Sequence, residues 1–173
     1  MSGTVTSGRP PWLIRPLRQE DLPLYRPLRM QALRDHPEAF GAAYEDEGTT
    51  DMSRMIGQRP GATFGGFAQH QLVGTAGLVV SPRIKQRHKG HIVGIYVAPA
   101  WRGTGLARAL TGALIAHARA QGLAVLTLAV TVGNEAARRL YLGAGFTVYG
   151  VEPRSLRIGD ALLDEELMAL LLD

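Results

Sequence analysis

The chain has no cysteine, which excludes a disulfide framework, a thiolate metal centre and nucleophilic catalysis through sulfur. Aromatic residues are few, at 6%, and form no paired platform of the kind that stacks single-stranded nucleic acid. Lys and Arg outnumber Asp and Glu by 19 to 15, a formal net charge of +4; this suits an anionic ligand but does not by itself imply nucleic acid. No apolar run approaches the length that spans a bilayer, and the N-terminus lacks the basic segment followed by an apolar stretch that marks a secretory signal. The expectation is a cytoplasmic protein with neither membrane nor nucleic acid as partner. With 173 residues, no internal repeat and no Ser- or Pro-rich linker within the body, one domain with a sizeable core is expected. Met1–Gly8 holds mostly small and polar residues with little to pack, so residues 1–11 read as a disordered tail and 12–173 as the domain.

Hydrophobic spacing predicts the order of elements. Trp12–Arg15 reads as a first strand. Leu24, Leu28 and Leu33 fall near helical spacing, with Asp21 as a cap and Pro23 in the first turn, while Pro27 is expected to break the helix early. Pro37–Phe40 and Thr50–Ile56 read as short helices. Thr63–Ala68 and Leu72–Val80 predict an antiparallel hairpin, followed by a basic loop, Ser81–Gly90, and a strand, His91–Ala98, ended by Pro99. Leu106, Ala109, Leu110, Ala113, Leu114 and His117 trace one face of a helix that Gly122 stops. Leu123–Val132 is the near-continuous apolar run of a strand buried on both faces, which should pair in parallel with His91–Ala98. Asn134 can cap a helix through Leu142, Gly143 and Gly145 break it, and Phe146–Val151 is a strand. Ala161–Leu172 suits a last strand or, by its Leu and Met content, a helix. The class is mixed α/β.

Between the strand and the long helix lies Arg102-Gly103-Thr104-Gly105-Leu106-Ala107. Glycines where a strand turns into a helix let the backbone approach a ligand, and the first-turn N–H groups with the helix dipole favour phosphate oxygens. A nucleoside-triphosphate loop needs Gly-Lys-Ser/Thr, but Leu106 follows Gly105; a dinucleotide fingerprint needs a third Gly or Ala where Arg108 stands.

What remains resembles the GNAT superfamily of N-acetyltransferases, whose pyrophosphate signature runs Arg or Gln, two residues, Gly, one residue, Gly or Ala. The likeness continues through Gly94-Ile95-Tyr96-Val97-Ala98-Pro99, through Asn134, Ala137, Leu140-Tyr141 and Gly145-Phe146, and more weakly through Pro37-Glu38-Ala39-Phe40-Gly41 and Asp164-Glu165 with Met168. The resemblance implies a single domain with a mixed, mostly antiparallel sheet splayed between its two parallel strands and helices on both faces. It implies acetyl-CoA as cosubstrate, its pyrophosphate on Arg102, Gly103, Thr104, Gly105, Leu106 and Ala107, and its pantetheine arm along backbone near Ile95 and Val97, with Asn134 as a further contact. Tyr141 matches the family's general acid, which protonates the departing thiolate. Where many members carry a base glutamate this chain has His91, whose imidazole can accept a proton near neutral pH; beginning a strand near solvent is the alternative reading. His88, Glu45, Glu47 or a water relay are further candidates for the base.

The expected reaction is acetyl transfer to a primary amine of a small molecule or peptide by direct attack, with a non-catalytic acyl-CoA-binding or sensing module as the alternative. The cluster Asp164-Glu165-Glu166 lacks histidines at ligand spacing, so no metal site is expected. The run Ala161–Leu172 could serve a homodimer contact as well as a core strand.

Overall fold

The computed structural model describes residues 10–57 and 59–172. The expected tail, residues 1–11, lies outside the described residues except for Pro10 and Pro11.

Strand-forming segments assemble into one seven-stranded sheet: β1 (Leu13–Pro16), β2 (Ala62–Ala68), β3 (Gln71–Val80), β4 (Lys89–Val97), β5 (Val125–Thr131), β6 (Thr147–Ile158) and β7 (Ala161–Leu171), in spatial order β1-β2-β3-β4-β5-β7-β6. Every neighbouring pair is antiparallel except β4 and β5. That parallel pair has only three registered partners: Lys89 with Val125, Gly90 with Leu126 and His91 with Thr127. Beyond His91 the strands separate, so the sheet is splayed as the resemblance implied.

Helices cover both faces. The α1 helix (Leu22–Asp35) seats Tyr25, Leu28 and Ala32 against Leu72 and Tyr96 on one face. On the other face lies α3 (Leu106–Ala120), whose Leu106, Leu110 and Leu114 are at most 1% exposed and pack with Ala76, Leu78, Ile92 and Leu126. Neighbouring residues of a strand point to opposite faces, which is why Leu72 and Val73 of β3 serve different cores. Glycines on β2 and β3 make the notch for α3: a Cβ on Gly66 would stand 2.6 Å from Leu106 Cδ1, and one on Gly74 would meet Leu106, Leu110 and the Tyr96 carbonyl at 3.1 to 3.2 Å. The α4 helix (Glu135–Gly143) joins the α3 side through Ala137, Leu140 and Tyr141.

Several expectations need correction. Pro27 does not break α1, which continues to Asp35. Pro27 is exposed, so the carbonyl it leaves unbonded faces water, and the buried Tyr25, Leu28, Ala32 and Leu33 hold the helix on its other side. Asp21 precedes α1 but makes no cap bond to it; its carboxylate accepts from Arg15 at 2.6 and 2.7 Å and from the Arg18 N–H at 2.8 Å. Thr50–Ile56 forms only a 3-10 turn, Met52–Met55, and an unanticipated short α2 (Tyr44–Gly48) precedes it. The last apolar run is a strand. The β6 strand continues well past Val151 because the ladder resumes after a bulge at residues 153–155, where the Arg154 N–H donates to Asp164 Oδ1 at 2.7 Å.

Candidate active site

The separation of β4 from β5 opens a cleft of about 880 Å³ lined by Ile95, Tyr96 and Val97 from β4, by Thr131 at the end of β5 and by residues 132–134 after it. The entrance of α3 closes one end with Arg102, Gly103, Gly105, Leu106, Ala107 and Arg108. Gly103 and Gly105 have φ of +75° and +86°, and an added Cβ at either would meet nothing within 4 Å. The turn is therefore a left-handed backbone path, bare of packing on the side where a side chain would project. The N–H groups of residues 103 to 108 make no hydrogen bond among the described residues, whereas Ala109 N–H is the first to donate, to the Gly105 carbonyl at 3.0 Å. A row of free donors at the positive end of a fifteen-residue helix is suited to a polyanion such as a pyrophosphate. The Thr104 hydroxyl is turned back to the Trp101 carbonyl at 2.7 Å and fixes the turn; Thr104 is not on the cleft wall.

Arg102 is ordered from below. Its Nε donates to the Val97 carbonyl at 3.1 Å and its Nη2 to His36 Nε2 at 2.9 Å, while the guanidinium lies 5.7 Å from the Tyr96 ring centroid. Accepting from Arg102 leaves the His36 proton on Nδ1, which faces Glu38 Oε1 at 3.4 Å. Among the described residues no carboxylate pairs with Arg102, so its charge is left for the cleft. Arg108, also on the wall, has no partner among the described residues. Opposite, Asn134 Oδ1 accepts from the Ala137 N–H at 3.2 Å, capping α4, and its amide NH₂ has no partner among the described residues.

The proposed catalytic pair lies off this wall. Tyr141 is 8% exposed and meets Phe146 edge-on, ring centroids 5.9 Å apart, and its neighbour Leu140 faces the cleft instead. Burial raises its phenol pKa far above the ordinary value of 10. His91 stands at the last registered pair before the strands part, with Nδ1 3.0 Å from Thr127 Oγ1. Desolvation lowers its pKa from the usual 6.5, opposed by the negative charge of Glu165. Glu47, 4% exposed, is held by Arg29 through two bonds at 2.5 and 2.8 Å. Glu45 lines a second cleft, and His88 gives its carbonyl to the Ala124 N–H.

Tyr96, His36, Glu38, Phe40 and Arg108 line the cleft and were not singled out from the sequence as site residues. Tyr96 donates to Asp35 Oδ2 at 3.3 Å, and desolvation first, then the Asp35 charge, raises its pKa. The sequence signals for Tyr96 and for Glu38 and Phe40 are their places in the Gly94–Pro99 and Pro37–Gly41 segments of the family likeness; His36 lies outside both, 66 residues before the Arg102 it meets and beyond the reach of local spacing.

Comparison with known proteins agrees with this fold. The profile of the Acetyltransferase (GNAT) family matches residues 25–146. A mycothiol acetyltransferase of Thermobispora bispora is 35% identical over 133 residues, covering 72% of this chain and 42% of that protein. An L-methionine sulfoximine/L-methionine sulfone acetyltransferase of Pseudomonas paraeruginosa is 40% identical over 79 residues, 46% of each. The matched stretch spans less than half the length of either relative. Among solved structures, a GNAT-family acetyltransferase from Streptococcus pneumoniae superposes with a TM-score of 0.82 at 24% identity, covering 94% of this chain and 99% of that one. An acetyltransferase from Salmonella typhimurium with its cofactor acetyl-CoA gives 0.78 at 24% identity over 94% of each; at these identities the likeness concerns the fold. By its profile match over most of its length, the chain belongs to the acetyltransferase (GNAT) family.

Proposed function

We propose that this protein is an acetyl-CoA-dependent N-acetyltransferase that passes the acetyl group directly to a primary amine of a small molecule or peptide. The observation that carries the reading is the run of unbonded N–H groups from residue 103 to 108, set at the entrance of α3 and facing a cleft between two parted strands. In this reading Gly103, Thr104, Gly105, Leu106 and Ala107 supply backbone donors to the pyrophosphate, with Arg102 and Arg108 adding charge. Backbone groups of Ile95 and Val97 face the acyl-bearing arm, and the free amide of Asn134 holds it from the β5 side. Acetyl-CoA supplies the activated acyl group.

An alkylammonium with a pKa of about 10.4 is deprotonated in only roughly one molecule per thousand at pH 7, so a base assists the attack. His91 is assigned that role through water, since it stands at the apex of the gap, is open to solvent there, and has its pKa lowered by the desolvation of part of its ring. Tyr141 is assigned the role of proton donor to the departing thiolate. Its raised pKa means that it always carries the proton at neutral pH, and it sits one residue from Leu140 on the wall.

The test is acetyl-CoA-dependent release of free thiol across a panel of amines, together with calorimetric titration of acetyl-CoA. Turnover that falls in Tyr141→Phe supports the enzyme. Tight binding without thiol release on any amine would favour the non-catalytic acyl-CoA sensor, and absence of binding would remove both.

A further inference from the structure

The turn that follows α1 touches both banks of the cleft between β4 and β5. On one bank, Arg102 Nη2 stands 2.9 Å from His36 Nε2; on the other, the hydroxyl of Thr131 at the end of β5 donates to the Glu38 carbonyl. The backbone between these contacts is held as well. The His36 N–H donates to the Ala32 carbonyl at 3.0 Å where α1 ends, and the His36 carbonyl accepts from the Ala39 N–H at 3.0 Å. His36 is thus presented to Arg102 from a backbone fixed by its own bonds.

A guanidinium has donors and no acceptor, so a hydrogen bond of this length requires an unprotonated Nε2. The imidazole is neutral, with its proton on Nδ1 toward Glu38 Oε1 at 3.4 Å. An imidazolium in the same place would aim an N–H at the guanidinium and set two like charges side by side. The titratable and charged groups around His36 are Arg102 from the turn before α3, Glu38 on its own turn, Tyr96 on β4 with its ring centre 6.3 Å away, and Asp35 at the end of α1, which accepts from the Tyr96 hydroxyl at 3.3 Å.

We propose that His36, its tautomer held by Glu38, is the positioning residue for Arg102, and that affinity for the cosubstrate depends on His36 being unprotonated. The inference rests on the acetyltransferase reading, in which Arg102 meets the pyrophosphate. An arginine side chain has many rotamers, and one already fixed by two bonds loses less freedom when an anion arrives. Val97 and His36 take the Nε hydrogen and one on Nη2, which leaves the Nη1 pair for phosphate oxygens. A proton on His36 Nε2 removes the acceptor and drives Arg102 from its seat. His36 acts through Arg102 and takes no part in the transfer itself.

The experiment titrates acetyl-CoA into the full chain by calorimetry, with no acceptor amine present, so that chemistry does not enter. At about pH 8, Arg102→Ala is expected to weaken binding about tenfold or more, the scale of a charged hydrogen bond, and His36→Ala by about threefold to tenfold. In the Arg102→Ala background, His36→Ala should add less than about twofold, because its partner is already gone. His36→Gln, whose side-chain carbonyl can stand in for Nε2 and does not titrate, should stay within about twofold of wild type at about pH 8. From about pH 8 to about pH 5.5 the wild-type chain should lose at least about threefold more affinity than His36→Gln; titration of the cosubstrate's own phosphates is common to both. Additive losses in the double variant, a glutamine variant as weak as the alanine one, or parallel pH dependence in wild type and His36→Gln would overturn the proposal. So would binding untouched by Arg102→Ala, which leaves the family activity standing. Absence of acetyl-CoA binding by the wild-type chain would instead strike at the acetyltransferase reading itself. The pH comparison of wild type with His36→Gln decides the matter even where the alanine variants fail to fold.

Discussion

His91 and Glu47, both candidate bases in the sequence, are separated by their surroundings. An imidazole desolvated at the apex of the gap titrates below its ordinary 6.5, so the acid limb of a kcat/KM profile should fall below pH 6.5. His91→Ala should lower kcat/KM by roughly a hundredfold or more and abolish that limb; a variant with an unchanged profile would release His91 from the role. Glu47 belongs to a buried, doubly bonded pair with Arg29, whose guanidinium also lies 5.1 Å from the centre of the Phe40 ring. Removing one partner of such a pair costs about 3–5 kcal/mol. Glu47→Gln should therefore lose activity and melting temperature together, where His91→Ala loses activity alone. Asp21 adds a pH effect of opposite origin. Its bonds to Arg15 chiefly, and to the Arg18 N–H, lower its pKa. The stabilisation is present above the unfolded carboxylate range and is lost as pH falls through the lower folded value. Asp21→Asn should flatten the decline of melting temperature on acidification in that window.

At the scale of elements, the segment order and the phosphate turn were legible because each rests on local chemistry. Gly103 and Gly105 announce a left-handed path, Asn134 announces a helix start, and the apolar run Leu123–Val132 announces a strand covered on both sides. Other features depend on partners distant in sequence. Pro27 looks disruptive until the burial of Tyr25 and Leu28 is known, and β6 looks finished at Val151 until β7 supplies a ladder beyond the bulge. The clasp of Arg102 by His36 likewise needs the fold, because α1 must first be laid against β4. The notch for α3 is of the same kind. Gly66→Ala would place a methyl 2.6 Å from Cδ1 of the buried Leu106, so that side chain must shift. Overpacking of this sort costs about 1–3 kcal/mol. Because Leu106 is the first residue of α3, the variant should lower the melting temperature and raise the KM for acetyl-CoA together; a stability loss with unaltered KM would show that the helix entrance had not moved.

For the molecule as a whole, the proposed cosubstrate would bridge two parts of the sheet that share three registered pairs. Acetyl-CoA at about a hundredfold excess over its Kd should stabilise the fold by roughly 2.7 kcal/mol. For a domain of this size that is a rise in melting temperature of about 5–10 °C, readable by calorimetry, and no rise at such an excess would count against binding to the native state. Backbone amides of β4 beyond His91 that face the gap should exchange rapidly with solvent in the free protein and slow on binding, whereas those facing β3 should be protected throughout. The parting of β4 and β5 has one more consequence. Strand edges exposed on the outside of a sheet invite another chain to zip onto them and seed aggregates. Here a pair of such edges faces one another across a cleft of the same molecule, so their unsatisfied groups are offered to whatever thin, ribbon-like guest enters between them.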